Sequence, residues 1–179
     1  MIKIGTDLDD CVNQFMRPYL ERFGQPKGKY DIAKNIHNVL SKDREFWLNL
    51  PILHRPDFTP TLYCTKRIHN KAWTRRYLEL NDLPIAPIYQ IYCQSAPKST
   101  RIKGRIDCFV DDSVQNFIEM NMNGVPCLLM DSEYNQEWGP IGRLYSLMRD
   151  EIEDAFELFI DTIFPYFKEV ISERHSKLY

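Results

Sequence analysis

The chain has 179 residues, of which 44% are hydrophobic and 13% aromatic, and its formal net charge at pH 7 is -2. This length suits one ordinary domain with a small insert, and the composition excludes a disordered or low-complexity protein. No apolar run reaches the roughly 18 to 20 residues that cross a bilayer, so no membrane span is expected. The first residues lack the basic and apolar segments of a signal peptide, which predicts a cytoplasmic protein.

Charge is unevenly distributed along the chain. Ten basic but only three acidic residues lie between Arg55 and Arg105. In a protein of nearly neutral net charge, such a segment favours a small anionic ligand over a long nucleic acid. The five cysteines form no CxxC pair, and four of them lie in short apolar runs. We therefore expect reduced, buried thiols rather than a zinc site.

The chain begins with a short apolar segment, residues 2–6, which predicts a buried strand that ends in acids. Apolar residues then recur with helical spacing over 12–23, and Gly24 ends this helix. Pro18 within the helix predicts either a kink or a later helix start. The mixed stretch that follows, with its aromatic cluster before Pro51, favours a small inserted subdomain.

From residue 61 onward, short apolar strands alternate with helices. The predicted strands cover 61–64, 88–93, 106–110 and 125–130. This alternation is typical of an α/β fold with a mainly parallel sheet and helices on both faces. Beyond residue 141 the sequence is strongly helical, and its apolar stripe packs either on the core or on a second copy in a homodimer.

Polar residues fall at the ends of these predicted strands. They are Asp7, Asp9 and Asp10 after the first strand, Thr65 after the second, and Asp111 and Asp112 after the fourth. The carboxyl ends of parallel strands meet at one edge of a sheet, so we expect these side chains to converge. Gathered carboxylates repel one another unless a cation lies among them, and all-oxygen ligands favour Mg²⁺. With an ammonium group from Lys98, this set suits phosphoryl transfer.

These motifs, in this order, resemble the haloacid dehalogenase-like (HAD) phosphohydrolase superfamily. The superfamily has an apolar strand followed by DxD, a strand ending in Thr or Ser, a lysine, and an apolar strand ending in acids. The corresponding residues here are 4–10, 62–65, Lys98 and 108–112, and the resemblance covers about residues 1–135. One departure follows the DxD motif, where Asp10 and Cys11 replace the usual Gly and then Thr or Val.

The resemblance implies an architecture. A Rossmann-like, HAD-like core would comprise residues 1–12 and 58–140, with a small helical cap at 13–57 and C-terminal helices at 141–179. Within the superfamily, the closest likeness is to the 5'(3')-deoxyribonucleotidase group. That group has a short helical cap and often an aromatic-leucine segment like residues 46–51.

The resemblance also implies catalytic roles. Asp7 would be the nucleophile that forms an aspartyl-phosphate, and Asp9 would protonate the leaving oxygen and then activate water. Thr65 would hydrogen-bond the phosphoryl group. Lys98 would neutralise its charge, with Lys103 as the rival for that role.

Mg²⁺ is the implied cofactor. It would be held by the Asp7 carboxylate, the backbone carbonyl of Asp9 and Asp111. Asp112 would bind through water or brace the loop.

The candidate substrate contacts are Thr65, Lys66, Arg67, Phe46 and Trp47. The rings of Phe46 and Trp47 would either stack on a base or pack the cap onto the core. Arg67 would either contact the substrate or lie exposed on the surface.

The sequence therefore predicts a Mg²⁺-dependent phosphomonoester hydrolase, a 5'-nucleotidase on (deoxy)nucleoside monophosphates. Two alternatives keep the same chemistry: a phosphatase for nucleic-acid 3'-phosphate ends and one for a small sugar phosphate. A third is a non-catalytic binding protein on the same scaffold. A receiver-type signalling domain gathers similar side chains, but it places its acidic pair, acceptor Asp, Thr and Lys in a different chain order.

Overall fold

A single six-stranded sheet organises the computed structural model, which describes residues 1–27, 29–92 and 96–176. Its strands are β1 (Ile4–Thr6), β2 (Leu62–Thr65), β3 (Ile88–Gln90), β4 (Cys108–Asp111), β5 (Cys127–Met130) and β6 (Arg143–Leu144). Their order across the sheet is β3-β2-β1-β4-β5-β6, and every neighbouring pair is parallel. The predicted α/β class is confirmed, and the strand order is that of a Rossmann-like sheet.

Helices flank this sheet. In the described part of the chain they are α1 (Met16–Phe23), α2 (Lys29–Asn38), α3 (Arg44–Leu48), α4 (Lys71–Leu80), α5 (Ser99–Ile102), α6 (Val114–Met122), α7 (Arg149–Thr162) and α8 (Phe167–Ser176). Short 3₁₀ turns cover Leu40–Lys42, Gln136–Trp138 and Phe164–Tyr166. None of the helices in the described residues is long and apolar enough to cross a membrane.

The central strands are buried on both faces. All residues of β1, β2, β4 and β5 are buried, which explains why these strands read as continuous apolar runs. Gly5 allows β1 to pack tightly, because a Cβ atom there would lie 2.9 Å from Cδ2 of Phe109 and 3.1 Å from Cδ1 of Leu62. Four cysteines, Cys11, Cys64, Cys108 and Cys127, are free and buried, as expected.

Two details of the predicted elements are resolved by the structure. Helix α1 begins at Met16, so Pro18 lies in its first turn, where a missing N–H breaks no helical hydrogen bond. The prediction of a later helix start is thus confirmed. The predicted strand 88–93 ends after Gln90, and its last residue lies outside the described residues.

The C-terminal region contains both expected helices and one strand that the sequence did not predict. Strand β6 has only two residues and pairs with Leu129 and Met130 of β5. A strand of two residues is too short to form an apolar run that could be recognised in the sequence. The apolar stripe of α7 packs inward: Phe159 is buried, and its ring centroid lies 6.2 Å from that of Phe117 on α6.

The segment 13–57 carries α1, α2 and α3 around an aromatic cluster. The rings of Phe15 and Trp47 stack with centroids 5.6 Å apart and an interplanar angle of 14°. Phe46 packs edge-on against both, at 6.0 Å from Phe15 and 5.5 Å from Trp47. This cluster faces the carboxyl edge of the sheet, where Trp47 and Phe15 line a cavity together with Asp7.

Candidate active site

The carboxyl ends of β1 and β4 bring three acids together. The register pairs Thr6 with Val110, and the Asp7 amide continues this ladder by donating to the Val110 carbonyl at 2.9 Å. As a result, Asp7, Asp111 and Asp112 each place a carboxylate oxygen within 4.8 Å of the others. We call these three residues the carboxylate cluster. It lies where the strand order reverses, the place at which open α/β sheets bind ligands.

A buried lysine contacts this cluster. Lys98 has no exposed surface, and its Nζ donates to Asp7 Oδ2 at 2.5 Å and to Asp111 Oδ2 at 2.7 Å. Burial alone lowers the pKa of Lys98, but Asp111 and Asp7 outweigh it and hold the pKa well above its usual value. The rival Lys103 lies elsewhere, with its Nζ donating to the Asn123 carbonyl at 2.7 Å. The structure thus brings Lys98, and not Lys103, to the acids.

Two acids of the carboxylate cluster have raised pKa values, although Lys98 donates to Asp7 and Asp111. Burial raises the pKa of Asp7 to about 7, although Lys98 opposes this shift. Burial, followed by the charges of Asp111 and Asp7, raises the pKa of Asp112 well above its usual value. A bound cation reverses such shifts because it stabilises the ionised carboxylates.

The donor set fits a hard divalent cation. Carboxylate oxygens from Asp7, Asp111 and Asp112 are the ligand type that Mg²⁺ prefers. The Asp9 carboxylate is not part of this group in the described residues. Its predicted contribution was the backbone carbonyl, and that remains a prediction.

Asp112 is braced from two neighbouring segments. The Tyr134 hydroxyl donates to Asp112 Oδ2, and the Cys11 thiol lies 3.8 Å from Oδ1. Asn135 Nδ2 donates to the Asp112 carbonyl at 2.8 Å. Burial, followed by the charge of Asp112, raises the pKa of Cys11 well above its usual value, so this thiol stays protonated.

Asn116 is a site residue that the sequence reasoning missed. Its Nδ2 donates to both Asp111 oxygens, at 3.0 and 3.2 Å, while its Oδ1 accepts from Lys66 Nζ at 2.9 Å. Ser113 caps α6 by accepting from the Asn116 amide at 3.4 Å, and this helix places Asn116 over Asp111. The available signal was an Asn one helical turn beyond an acidic strand end.

Asp9 lies on the other side of the site, held by several donors. Arg67 binds it in a bidentate manner, with Nε 3.0 Å from Oδ2 and Nη2 2.5 Å from Oδ1. The Thr65 hydroxyl donates to Oδ2 at 3.2 Å. Asn13, in the amide orientation that satisfies both of its groups, donates to Oδ1 at 3.2 Å and accepts from Arg67 at 2.7 Å. Two donors therefore meet each of the two Asp9 carboxylate oxygens.

The backbone at Asp10, directly after the DxD motif, has an uncommon conformation. Asp10 adopts a φ of 55°, in the left-handed region that favours glycine and that Asp tolerates better than most residues. Its Oδ1 accepts the amides of Phe15 at 2.9 Å and Met16 at 3.0 Å, which fixes the entry to α1. Asp10 thus occupies a backbone conformation that glycine adopts readily, and its side chain adds two hydrogen bonds.

A cavity of about 290 Å³ opens between the sheet edge and the segment 13–57. Its floor is charged, and its opposite wall is apolar. The floor includes Asp7, Asp9, Asp112, Lys66 and Lys98, and the wall includes Phe15, Met16, Ile32, Ile36 and Trp47. A volume near 300 Å³ is at the lower end of the range for small-molecule sites.

Only some of the predicted substrate contacts line this cavity. Lys66 and Trp47 line it, whereas Thr65, Arg67 and Phe46 are not among its lining residues. Arg67 is completely buried rather than exposed, because Asp9 takes up its guanidinium group. Trp47 is 1% exposed, and its indole Nε1 donates to the Leu40 carbonyl at 2.7 Å.

Comparison of the chain with protein-family models, with curated proteins and with solved structures finds no match. A proposal for its function therefore rests on the fold and on the geometry of this site.

Proposed function

We propose that this protein is a Mg²⁺-dependent phosphomonoester hydrolase of the HAD type, acting on (deoxy)nucleoside monophosphates through an aspartyl-phosphate on Asp7. One observation carries the proposal: the carboxylate cluster and Lys98 lie at the sheet's switch point, and Asp9 shares the cavity with them. In this proposal Asp7 is the nucleophile, Lys98 is the charge-neutralising group and Asp9 is the acid-base group. Phosphoryl transfer needs little more than such positioning and charge neutralisation.

Asp7 is held as the nucleophile by two donors. The Leu8 amide donates to Asp7 Oδ1 at 2.7 Å, and Lys98 donates to Oδ2 at 2.5 Å. Each oxygen keeps a second lone pair, so one can attack phosphorus while the other stays bound. In this step an oxygen-phosphorus bond forms to Asp7, and the bond from phosphorus to the leaving oxygen breaks.

Asp9 handles the protons of both half-reactions. It gives a proton to the leaving oxygen in the first step, and it takes one from the water that attacks the aspartyl-phosphate in the second. In the structure the Thr65 hydroxyl donates to Asp9 Oδ2. If a phosphoryl oxygen accepts that hydroxyl instead, a lone-pair position on Oδ2 becomes free to carry the proton.

Asp7, Asp111 and Asp112 would hold Mg²⁺, which supplies positive charge to the phosphoryl oxygens when it is bound. Asn116 keeps both oxygens of Asp111 in place, and Tyr134 does the same for Asp112. Lys66, tied to Asn116, adds a second positive charge at the cavity floor.

The two sides of the cavity support a nucleotide as the substrate class. A phosphate fits the charged floor, and a sugar with a flat base fits the apolar wall formed by Phe15, Ile36 and Trp47. The small volume favours a mononucleotide over a polynucleotide strand.

The test is a panel of phosphomonoesters with and without Mg²⁺, measured by release of inorganic phosphate. We expect Mg²⁺-dependent turnover, with at least one nucleoside monophosphate cleaved faster than every sugar phosphate. Faster cleavage of a sugar phosphate would exclude the nucleotidase but keep the chemistry. No turnover of any phosphomonoester would indicate a non-catalytic binding protein.

A further inference from the structure

Arg67 has an environment unlike that of any surface arginine. Its side chain is completely buried beside a catalytic candidate, Asp9, whose side chain is 20% exposed to the cavity. The guanidinium group meets both carboxylate oxygens at once, at 3.0 and 2.5 Å. We call this two-point contact the Arg67–Asp9 pair.

The rest of the guanidinium group is fixed as well. Its Nη1 donates to the Thr74 hydroxyl on α4 at 3.4 Å, and that hydroxyl donates to Gln90 of β3 at 3.1 Å. Gln90 in turn donates to the Arg67 carbonyl at 3.0 Å. The side chain is therefore anchored on the sheet side by a closed set of hydrogen bonds.

An aromatic ring covers the opposite face. The Arg67 Cζ lies 4.9 Å from the ring centroid of Trp47 in α3, a favourable cation-π distance. Trp47 also lines the cavity, so this arginine connects Asp9 to the wall that α3 contributes.

We infer that Arg67 is a positioning residue for Asp9, which fixes the rotation and depth of its carboxylate at the cavity edge. This inference rests on the proposed function and adds to it the residue that orients the proton-donating carboxylate of Asp9. A bidentate guanidinium contact fixes two oxygens, whereas an ammonium group fixes one point. Asn13 and Thr65, both at 3.2 Å, are the longer and weaker contacts of Asp9.

The same geometry argues against direct contact between Arg67 and the substrate. Arg67 is not among the residues that line the cavity, and Asp9 lies between its guanidinium group and that space. Its Nε and Nη2 are bonded to Asp9, and Nη2 also meets Asn13.

The experiment compares two substrates with different needs for a proton. p-Nitrophenolate is a weak base that departs without protonation, whereas the alkoxide of a nucleoside 5'-monophosphate needs a proton from Asp9. For Arg67→Met we expect kcat/KM to fall roughly 100-fold on the nucleotide and less than about threefold on p-nitrophenyl phosphate. Competitive inhibition by inorganic phosphate should be unchanged, because Arg67 does not touch the phosphate.

Two further variants keep the test decisive. Arg67→Lys retains the buried charge but not the two-point contact, and it should show the same dependence on the leaving group with a smaller loss. The matched control is Arg149→Met, which removes a guanidinium group 4.9 Å from the Phe58 ring, remote from Asp9, and should leave both substrates unaffected.

The inference is overturned by an equal loss on both substrates, by weaker inhibition by phosphate, or by wild-type kinetics in Arg67→Lys. These outcomes need an active wild-type protein. If the wild type hydrolyses neither substrate, it is the proposed function that fails, and the two failures are therefore distinguishable.

Discussion

Two buried sets of charges face the same cavity, and they are balanced differently. In the Arg67–Asp9 pair, one guanidinium group meets one carboxylate, and Thr65 and Asn13 complete its hydrogen bonds. The carboxylate cluster has three acids, and the Lys98 ammonium group contacts two of them, Asp7 and Asp111. Accordingly, burial leaves Asp7 and Asp112 with raised pKa values.

The difference shows what each set requires. Buried charges are costly unless they are paired and hydrogen-bonded, and the Arg67–Asp9 pair meets both conditions with side chains alone. The carboxylate cluster does not, and its oxygens suit a divalent cation. A divalent ion bound at the carboxylate cluster should therefore change the stability and activity of the protein. It should leave the Arg67–Asp9 pair unaffected.

The largest expected effect comes from the nucleophile. Asp7→Asn keeps the shape of the side chain but cannot form an acyl phosphate, so phosphatase activity should fall by at least about 10⁴-fold. The loss is measured as phosphate release from the best substrate. It should be equally large for substrates with other leaving groups. The control Asp161→Asn changes an exposed acid on α7 and should be fully active, and an active Asp7→Asn would contradict the assignment.

Next in size is the removal of Lys98. Lys98→Met leaves Asp7 and Asp111 buried without their partner, which should lower the free energy of unfolding by about 3 kcal/mol in a chelator. Mg²⁺ should restore part of this loss, because it neutralises the same oxygens. Urea unfolding measures both values.

Lys103→Met is the matched control, since the Lys103 Nζ donates to the Asn123 carbonyl and lies outside the carboxylate cluster. We expect it to lose under about 0.5 kcal/mol. A loss in Lys98→Met that Mg²⁺ does not change would mean that the cluster needs no cation.

The effect of metal removal is smaller. At 100 times its dissociation constant, Mg²⁺ should stabilise the wild type by about 2.7 kcal/mol, which raises Tm by roughly 5 to 10 °C. Thermal unfolding with and without chelator checks this. Asp111→Asn should abolish the shift, whereas Asp154→Asn, an exposed acid, should retain it.

The smallest expected effect is a pH dependence of the free energy of unfolding that comes from His69, a neighbour of the Arg67–Asp9 pair. Burial, and then the charge of Arg67, lowers the pKa of His69 to about 4 from its usual 6.5. The folded protein therefore binds fewer protons than the unfolded chain, and stability is lost as the pH falls from about 6.5 towards 4. Between pH 7 and pH 5 we expect about 2 kcal/mol from this group.

His69→Gln should flatten this part of the stability profile, and His37→Gln, an exposed histidine in α2, should not. Unfolding by urea at several pH values measures the slopes. Equal slopes for His69→Gln and the wild type would show that burial and the charge of Arg67 do not hold His69 neutral.

The sequence predicts the sheet edge well, because parallel strands impose a simple geometry. Once β1 and β4 are recognised, Asp7 and Asp111 must lie at the same edge, although 104 positions separate them. Lys98 is a candidate for a similar reason, since it lies just past the preceding predicted strand. The sequence did not predict Asn116 as a site residue, because a single amide side chain within a helix forms no recognisable motif.

Side-chain partners were harder to predict than strand ends. The sequence places Arg67 two residues after Thr65, but whether it faces solvent, substrate or Asp9 depends on packing from α3 and α4. The same holds for Phe46, which packs edge-on within the aromatic cluster and is not among the residues that line the cavity. Long-range packing, rather than local propensity, decides these orientations.

The central claim is that Asp7 becomes phosphorylated. The most direct test is to quench the active protein during turnover, reduce it with borohydride, which converts an acyl phosphate to homoserine, and examine residue 7 by mass spectrometry. The account predicts homoserine at position 7 only when substrate and Mg²⁺ are both present. An active protein that retains unmodified Asp7 throughout, or that carries homoserine at another acid, would contradict it.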